Sequence, residues 1–383
     1  MRDAWALDDS IHFLNHGSYG ATPKVVLERQ RALRDQLESE PVRFMARELE
    51  PLLDEARHAL AAFVGAPSDE LVFVTNATTG VNAVVRSIDF APGDELLTTS
   101  HGYNACTNVL RYVAERTGAK VVIADVPFPV PDAQALERAV LASVSPRTRL
   151  VLLDQLTSPT ALIFPIDALV RQLEGAGIPV LVDAAHGPGQ VPLHLAQTGA
   201  SFTTGNLHKW VCAPKGAAFL HVRSDWQARV RPPVISHGAN ARRTDRSRFH
   251  LEFDWVGTAD PTPQLCVPAA LAFMGSLLPG GWPELMQRNH DDAVSGREAL
   301  LALLGSEVPC PPALLGAMAS VIVPGAPADL GERLFHDFHV EVPVIPFGEQ
   351  VLVRISAQRH VRPGDLPALL EALRKLAPPK RAA

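Results

Sequence analysis

The chain has 383 residues, 47% of them hydrophobic, which suggests two domains or one large domain with an appendage. Its formal net charge is −6 without any block of like charges, which argues against a nucleic-acid or anionic-membrane partner. No apolar run reaches the roughly 18 residues that a membrane span needs. The acidic residues 1–10 do not resemble a signal peptide, so we expect a cytoplasmic protein.

The four cysteines are widely spaced and form no metal-ligand pattern. We therefore expect free, buried thiols in a reducing compartment and no metal site. Residues 242–248 form the one basic run of the chain. We interpret it as a solvated loop rather than a contact for phosphate or a partner.

The first predicted elements, in chain order, are an N-terminal arm over residues 1–23 and a helical pattern over 25–64. Glu40-Pro41 should break this pattern, and Pro51 should interrupt it again. Strands and helices then alternate. Strands are predicted over 71–75, 95–99, 120–126, 149–154, 179–182 and 216–222, with helices from 78 onward, over 105–116, 132–142 and 166–173. This alternation predicts a mostly parallel sheet with both faces covered, which binds ligands at the carboxyl ends of its strands.

The last third of the chain predicts a smaller α+β domain. A helix starts near Pro268 and ends at a Pro- and Gly-rich stretch, residues 278–283. A helix, a strand over 319–323, a helix, a strand over 351–355 and a final helix over 366–376 follow. We divide the chain into the arm, residues 1–23, a large domain, 24–265, and a small C-terminal domain, 266–383.

Asp183 and Lys209 suggest a specific chemistry. Asp183 ends the apolar run 178–182, and Lys209 follows in the run 206–210, Asn-Leu-His-Lys-Trp. Such a lysine can form a Schiff base with pyridoxal 5'-phosphate (PLP), while a buried acid keeps the ring nitrogen protonated. The alternative is a surface lysine whose stem lies on apolar groups. Lys215 is the second candidate for the Schiff base, since the chain has only six lysines.

A phosphate and a ring would find further partners near the strand ends. Thr78 and Thr79 lie where a strand meets a helix, and a helix N-terminus favours a phosphate. The alternative is an ordinary threonine helix cap. Tyr103 follows the next strand and could stack on the cofactor ring, or could be a tyrosine packed at an interface.

Three other polar residues follow strands in the same region. His186, three residues after Asp183, could hydrogen-bond the ring hydroxyl or relay a proton. His208 could reach the phosphate while Lys209 reaches the aldehyde, because adjacent side chains diverge. Ser158 lies in a Ser-Pro-Thr turn that could contact cofactor or substrate, or be a plain turn.

Two more candidates lie further along the chain. Gly257 and Thr258 form a loop that could reach a phosphate of a neighbouring subunit, or be only a loop. Arg354 interrupts an apolar strand and needs a partner. A substrate carboxylate would pair with it bidentately, and an internal salt bridge is the alternative.

Together these motifs resemble the class V aminotransferase family of PLP enzymes over almost the whole chain. The most specific runs are Asp-Ala-Ala-His at 183–186, Asn-Leu-His-Lys-Trp at 206–210, Gly-Thr at 257–258 and Arg-Ile-Ser at 354–356. The runs 14–20, 157–160 and 208–210 look like the isopenicillin N epimerase branch of that family.

The resemblance implies the α/β fold of PLP-dependent transferases called fold type I. This fold has a large PLP-binding domain around a mostly parallel seven-stranded sheet, and a smaller α+β C-terminal domain. The resemblance also implies a homodimer with its active site at the subunit interface. The implied cofactor-binding residues are Lys209 for the aldehyde, Asp183 for the ring nitrogen, Thr78, Thr79 and His208 for the phosphate, and Thr258 donated across the interface. Tyr103, Ser158, His186 and Gly257 complete the predicted cofactor-binding set. The implied substrate-binding residues are Arg354 for the carboxylate and Asn15 and His16 at the substrate mouth.

The implied reaction is epimerase, racemase or aminotransferase chemistry at Cα of an amino acid. Lys209 would serve as base and acid on one face, with His186, His208 or water delivering a proton on the other. The alternatives are a C–S lyase acting by β-elimination and a PLP-binding dimer without turnover. Cysteine desulfurases of the family use a cysteine on a C-terminal loop. This chain has none after Cys310, which leaves only Cys106 as a persulfide carrier.

Overall fold

The computed structural model describes residues 1–377. The strands in this part of the chain are β1 (His12–Phe13), β2 (Leu71–Val74), β3 (Glu95–Thr99), β4 (Lys120–Ala124), β5 (Thr148–Asp154), β6 (Val180–Asp183), β7 (Phe202–Asn206), β8 (Ala218–Val222), β9 (Met318–Ile322), β10 (Val340–Glu341), β11 (Val344–Phe347) and β12 (Gln350–Ser356). Among the described residues, every helix is too short or too polar to cross a bilayer.

The helices of this part of the chain are α1 (His16–Tyr19), α2 (Lys24–Ser39), α3 (Pro41–Arg43), α4 (Leu49–Val64), α5 (Ala77–Val85), α6 (Asn104–Thr117), α7 (Ala133–Ala142), α8 (Ile166–Gly175), α9 (Leu195–Thr198), α10 (Arg248–Phe253), α11 (Thr262–Leu265), α12 (Val267–Gly275), α13 (Gly281–Leu304), α14 (Leu330–Phe338) and α15 (Asp365–Leu376). Their ends follow from local chemistry. The Asn76 side chain accepts the N–H of Thr79 to start α5. Gly65 and Gly118 end α4 and α6 in the left-handed region.

A seven-stranded sheet forms the centre of the molecule. Its strand order is β2-β8-β7-β6-β5-β3-β4, and only β8 runs against its neighbours. The carboxyl ends of β2, β3, β5, β6 and β7 therefore lie along one edge of the sheet. The predicted α/β architecture of fold type I, with its mostly parallel seven-stranded sheet, is confirmed.

Alternate side chains of the strands enter two separate cores. Leu152 packs with Val84 and Leu110 from the helices on one face of the sheet. Its neighbour Leu153 lies in the core on the other face, with Leu173 and the C-terminal Leu369. This explains why the strands read as continuous apolar runs in the sequence, because both of their faces are buried.

The C-terminal part adds a three-stranded antiparallel sheet in the order β11-β12-β9, in which Arg354 pairs with Ser320. The N-terminal arm joins this part of the chain, because β1 pairs in parallel with β10. Leu14, at the end of the arm's strand, accepts the N–H of Ser356. The arm thus brings residues 15–20 to the strand that carries Arg354.

The predictions about elements were incomplete at one strand. The strand Phe202–Asn206 was not among the predicted strands, although all five of its residues are buried. The predicted interruption near Pro51 is confirmed, because a π-helical segment, Phe44–Glu48, ends where α4 begins at Leu49, with Pro51 in the first turn of α4. The break at Glu40-Pro41 is confirmed. The loop 242–248 is exposed as expected, and its arginines pair with acids of α4.

Leu152→Ala should lower the free energy of unfolding by about 2–5 kcal/mol, because it removes a buried side chain from the interior strand β5 and leaves a cavity. Ile123→Ala on the edge strand β4 is the matched control, since it removes as many carbons from a side chain that is 41% exposed. Its cost should be about 1 kcal/mol or less. Chemical denaturation followed by circular dichroism measures both. Equal losses would contradict the described core.

Candidate active site

The candidate site lies at the sheet edge where the carboxyl ends of the parallel strands meet. Asp154 ends β5 and Asp183 ends β6, and the two residues pair in register on these adjacent strands. Lys209 follows β7 by three residues. Neighbouring parallel strands therefore deliver two acids and an amine to one place, as the sequence predicts for Asp183 and Lys209.

The amine of Lys209 lies against His186. Its Nζ is 3.1 Å from His186 Nε2. Trp210 Nε1 donates to His186 Nδ1 at 3.4 Å, so the ring proton of a neutral His186 is on Nε2 and points at the lysine. Burial and the nearby charge of Arg354 lower the pKa of Lys209 to about 8, against the opposing effect of Asp183 and Asp154.

Asp183 and Asp154 are both buried, 3% and 4% exposed. Asp183 accepts the N–H of Ala185 at 2.9 Å and the thiol of Cys106 at 3.1 Å. Asp154 accepts the N–H of Tyr103 at 3.2 Å with one oxygen, and its other oxygen has no partner among the described residues. Burial raises the pKa of each carboxyl, and the charge of Asp183 raises that of Asp154 further.

Cys106 acts as a donor in this site. Burial raises the pKa of its thiol well above the ordinary value, and the neighbouring charge of Asp183 adds to this rise. Only the thiolate is a good nucleophile. The side chain is therefore a poor persulfide carrier, and the remaining route to desulfurase chemistry loses its support.

Arg354 is a buried cation held by neutral groups. The residue is 2% exposed. Its Nη1 donates to the carbonyl oxygen of Ser158 at 2.6 Å and to the hydroxyl of Ser158 at 3.1 Å, and its Nη2 donates to Ser18 Oγ at 3.3 Å. Burial lowers its pKa to about 10, and its Nε has no partner in the described chain. A buried guanidinium with neutral partners attracts an anion, and a carboxylate fits its planar donors. The alternative of an internal salt bridge is not found among the described residues.

The start of α5 offers hydroxyl and backbone donors. Thr79 Oγ1 lies 2.9 Å from Thr75 Oγ1 and 3.1 Å from Asn76 Oδ1. Asn76, rather than a threonine, caps the helix. The N–H of Ala77 donates to the side chain of Asn206 at the end of β7. This bond fixes the helix start beside the lysine loop, residues 207–217, which joins β7 to β8 and carries Lys209. His208 also lies there, with Nδ1 3.2 Å from the carbonyl oxygen of Ala217.

The other predicted residues are distributed around this centre. Tyr103 is 44% exposed, and its pKa is raised by partial burial and by the charge of Asp183. Gly257 lines a depression of about 160 Å³ with Thr75 and Thr79. Thr258 lines a neighbouring apolar groove instead. Lys215, the second candidate for the Schiff base, donates to the carbonyl oxygen of Gly20 at 3.0 Å.

The placement of His16 at the substrate mouth is wrong. His16 is fully buried, and its ring nitrogens contact the carbonyl oxygen of Lys209 and the ring of His360. Asn15 is only half-buried, but its amide nitrogen donates to Glu341, and its amide oxygen accepts the hydroxyl of Ser18. Asn15 therefore supports Ser18, which in turn contacts Arg354.

These residues fit PLP. Lys209 offers an amine for the aldehyde, and Asp183 offers a buried carboxylate for the ring nitrogen. The start of α5 offers donors for a phosphate. The oxygen of Asp154 without a partner marks a place where a donor is missing. In the described chain, acidic, histidine and cysteine side chains form no cluster that could hold a metal ion.

Comparison with known proteins identifies the class of the chain. The model of the family described as aminotransferase class-V matches residues 13–252, so the chain belongs to this family of PLP-dependent enzymes. The prediction of PLP as the cofactor is thereby confirmed.

Its relatives include proteins with two different names. The isopenicillin N epimerase of Amycolatopsis lactamdurans is 32% identical over 98% of each chain. A probable chloroplastic L-cysteine desulfhydrase of Arabidopsis thaliana is 31% identical over 96% of this chain and 83% of that protein. The resemblance to the isopenicillin N epimerase branch is confirmed at the level of sequence.

Solved structures share the fold. The cystine C–S lyase C-DES, in complex with cysteine persulfide, matches with a TM-score of 0.82 and 23% identity, covering 97% of this chain and 99% of its own. A cysteine desulfurase from Thermococcus onnurineus matches with a TM-score of 0.82 and 19% identity, covering 98% and 97%. At this identity the likeness concerns the fold alone.

Sequence reasoning assigned no role to Asp154 or Ser18 and considered Cys106 only as a nucleophile. Asp154 carried a usable signal, because it ends an apolar strand just as Asp183 does. The sequence around Ser18 and Cys106 gave no comparable signal of their roles. Their contacts with Arg354 and Asp183 join residues 336 and 77 positions apart, which only the folded chain reveals.

The amine of Lys209 should titrate with a midpoint near pH 8 instead of the ordinary 10.5 in the protein freed of PLP. Below this midpoint the amine is protonated and unreactive, so reductive methylation of Lys209, mapped by mass spectrometry across pH, reports the value. Arg354→Gln removes a neighbouring positive charge, so the midpoint should rise. A midpoint near 10.5 in the unaltered protein would contradict the buried position of the amine.

Proposed function

We propose that this enzyme removes the Cα proton of an α-amino acid and returns a proton to epimerise it, as the name of its epimerase relatives suggests. The observation that carries the proposal is the pairing of Lys209 with Arg354. A buried amine with a lowered pKa lies near a buried guanidinium that neutral groups hold. Such a pair suits a substrate that brings both an amino group and a carboxylate.

We infer that Lys209, Asp183 and the residues around α5 hold the cofactor. Lys209 would bind its aldehyde and Asp183 its ring nitrogen, with Thr78, Thr79 and His208 near the phosphate. Tyr103 and Ser158 stay as predicted contacts of the ring and its surroundings. His186, with its Nε2 proton directed at Lys209 Nζ, can donate to the ring hydroxyl. When bound, PLP withdraws electrons from Cα and so acidifies its proton.

The remaining chemistry belongs to the side chains of the protein. With a pKa of about 8, an appreciable fraction of Lys209 is neutral at neutral pH, so the amine can accept the Cα proton. Arg354 binds the substrate carboxylate and thereby orients Cα toward Lys209. Ser158 and Ser18 hold the guanidinium plane in place.

A C–S lyase that releases the β-substituent is the second candidate. Of the two predicted proton carriers, His186 contacts the amine of Lys209, whereas the His208 ring lies against the carbonyl oxygen of Ala217. Epimerisation requires a donor on the face opposite the lysine, whereas β-elimination can use Lys209 alone as base and acid. The relatives named L-cysteine desulfhydrase support this candidate as well.

We further propose a homodimer that completes the site. Thr258 lines an apolar groove of about 590 Å³ with Val42, Met45, Leu49 and other residues of this region. Val42, which lines this groove, is 64% exposed. An exposed apolar groove favours a protein interface. A second copy seated there would bring Gly257 and Thr258 to the phosphate of its neighbour.

Lys209→Ala should abolish the PLP that borohydride traps covalently, because its Nζ is the amine that the described residues place at the site. Lys215→Ala is the matched control and should retain trapping, since Lys215 contacts Gly20 instead. Mass spectrometry of tryptic peptides after reduction locates the modified lysine. Trapping at Lys215 would refute the assignment of the cofactor lysine, and an absence of trapping in the unaltered protein would refute the cofactor site.

The holoenzyme in D2O should incorporate deuterium at Cα of an L-amino acid from a substrate panel and yield its D-isomer. NMR and chiral chromatography measure these products. β-Thio-substituted amino acids in the same panel test the second candidate, because elimination yields pyruvate and a thiol. Elimination without a D-isomer would replace the epimerase assignment with the lyase. A holoenzyme without exchange or products would correspond to the PLP-binding dimer without turnover.

A further inference from the structure

Residues 15–20 pack directly against the backbone of the lysine loop. A Cβ on Gly20 would lie 1.9 Å from the carbonyl oxygen of His208 and 2.9 Å from the Cα of Lys209. Gly20 also has a φ of +70°, which L side chains rarely adopt. The close approach of the two backbones therefore requires glycine at this position.

The carbonyl oxygen of Lys209 has two hydrogen-bond partners. His16 Nε2 lies 2.9 Å from it, and the N–H of Cys212 lies 3.2 Å from it. Cys212 closes this turn with a φ of +61°, an uncommon conformation for a residue other than glycine. A carbonyl oxygen has two lone pairs, so both are used. Because the peptide unit is planar, fixing this oxygen restricts the direction in which the lysine side chain leaves the backbone.

His16 is held in turn by His360. His16 Nδ1 lies 2.9 Å from His360 Nε2, and both side chains are fully buried. Burial lowers the pKa of His16 to about 3 and that of His360 well below its ordinary value, so both rings are neutral. Trp5 and Phe13 pack against the ring of His360, with centroids 5.5 and 5.6 Å away.

The hydrogen bonds of this group have a fixed direction. A carbonyl oxygen only accepts, so His16 carries its proton on Nε2 and offers Nδ1 as an acceptor. His360 must then donate from Nε2, which leaves its own Nδ1 without a proton. That nitrogen is buried and has no partner among the described residues.

We propose that His360 and His16 are positioning residues that hold the backbone of Lys209 in place for the cofactor and the substrate. The proposal rests on the proposed role of Lys209 as the cofactor lysine. Neither histidine is assigned a contact with the reacting groups, and both act through the lysine carbonyl. His360 lies six positions after Arg354, in the segment between β12 and α15. The two histidines therefore connect the region of the substrate arginine to the lysine.

Loss of this support should change the titration of the lysine amine. The charged or titratable groups near that amine include Arg354, Asp183, Asp154, Cys106, His186, His208 and His16. Burial and Arg354 are the two largest influences, and both lower the pKa of Lys209. A lysine released toward solvent would escape both of them. Its midpoint should therefore move upward, toward the ordinary value.

The test compares three variants of the full-length protein with the unaltered chain. His360→Leu removes the donor to His16, and His360→Gln keeps an amide N–H near the position of Nε2. His221→Leu is the matched control, because His221 is equally buried but pairs with Glu70 at the opposite end of the sheet. The rate of covalent capture of added PLP, followed by visible absorbance across pH, is measured for each after removal of bound PLP. Thermal unfolding is measured in parallel.

We expect the pH midpoint of capture to rise by about one unit in His360→Leu, which corresponds to about tenfold slower capture at neutral pH. His360→Gln should restore most of the original midpoint. His221→Leu should lower the melting temperature without moving the midpoint. A midpoint that stays unchanged in His360→Leu, or that moves equally in His221→Leu, would overturn the positioning role.

Measurements on the unaltered protein distinguish a failure of the positioning role of His16 and His360 from a failure of the assignment of Lys209 as the cofactor lysine. If borohydride traps PLP at Lys209 and His360→Leu keeps the original midpoint, only the positioning role fails. If the unaltered protein captures PLP at another lysine, the proposed function fails first. Substrate kinetics of the holoenzyme provide a further readout, because misplacement of Lys209 should lower kcat more than it raises KM.

Discussion

The site depends on burying an ammonium, a guanidinium and two carboxylates close to one another. A single buried charge is costly, but opposite charges and hydrogen bonds offset much of that cost. Asp183 and Asp154 counter the charge of Lys209, and neutral groups of Ser158 and Ser18 hold Arg354. Backbone N–H groups satisfy part of the remaining hydrogen-bonding capacity of the two carboxylates. The parallel strands bring these charged groups together, because β5 and β6 end side by side and β7 leads into the lysine loop. The low pKa of the amine follows from the same burial.

The strand-end acids and the lysine loop were predictable because they follow a general rule of parallel sheets. The strand Phe202–Asn206 was not, since its sequence, Phe-Thr-Thr-Gly-Asn, is mostly polar or small. In the folded chain, the polar and small residues of this strand are accommodated by the neighbouring strand β8. The hydroxyl of Thr204 donates to the carbonyl oxygen of Phe219, and a Cβ on Gly205 would lie 2.7 Å from the Phe219 ring. A partner strand distant in sequence supplies both constraints, so the local pattern could not reveal them.

The N-terminal arm shows another limit of sequence reasoning. Asn15 and His16 were predicted to line the substrate mouth, but the sequence could not tell whether they face the substrate or lie behind the lysine. His16 is fully buried against the carbonyl oxygen of Lys209, so it lies behind the lysine. The arm touches both halves of the site, since Ser18 contacts Arg354 and Gly20 packs on the backbone of Lys209. The groups proposed to bind the carboxylate and the amine of the substrate are thus coupled through a single short segment.

The state of the cysteines has a consequence for the redox behaviour of the protein. Burial raises the pKa of all four thiols, to about 11 for Cys266 and Cys310 and in the same direction for Cys106 and Cys212. Thiol–disulfide exchange proceeds through an accessible thiolate, and these side chains offer almost none. The chain should therefore form no mixed disulfides with glutathione or cystine. It can meet sulfur compounds in its surroundings without becoming covalently attached to them.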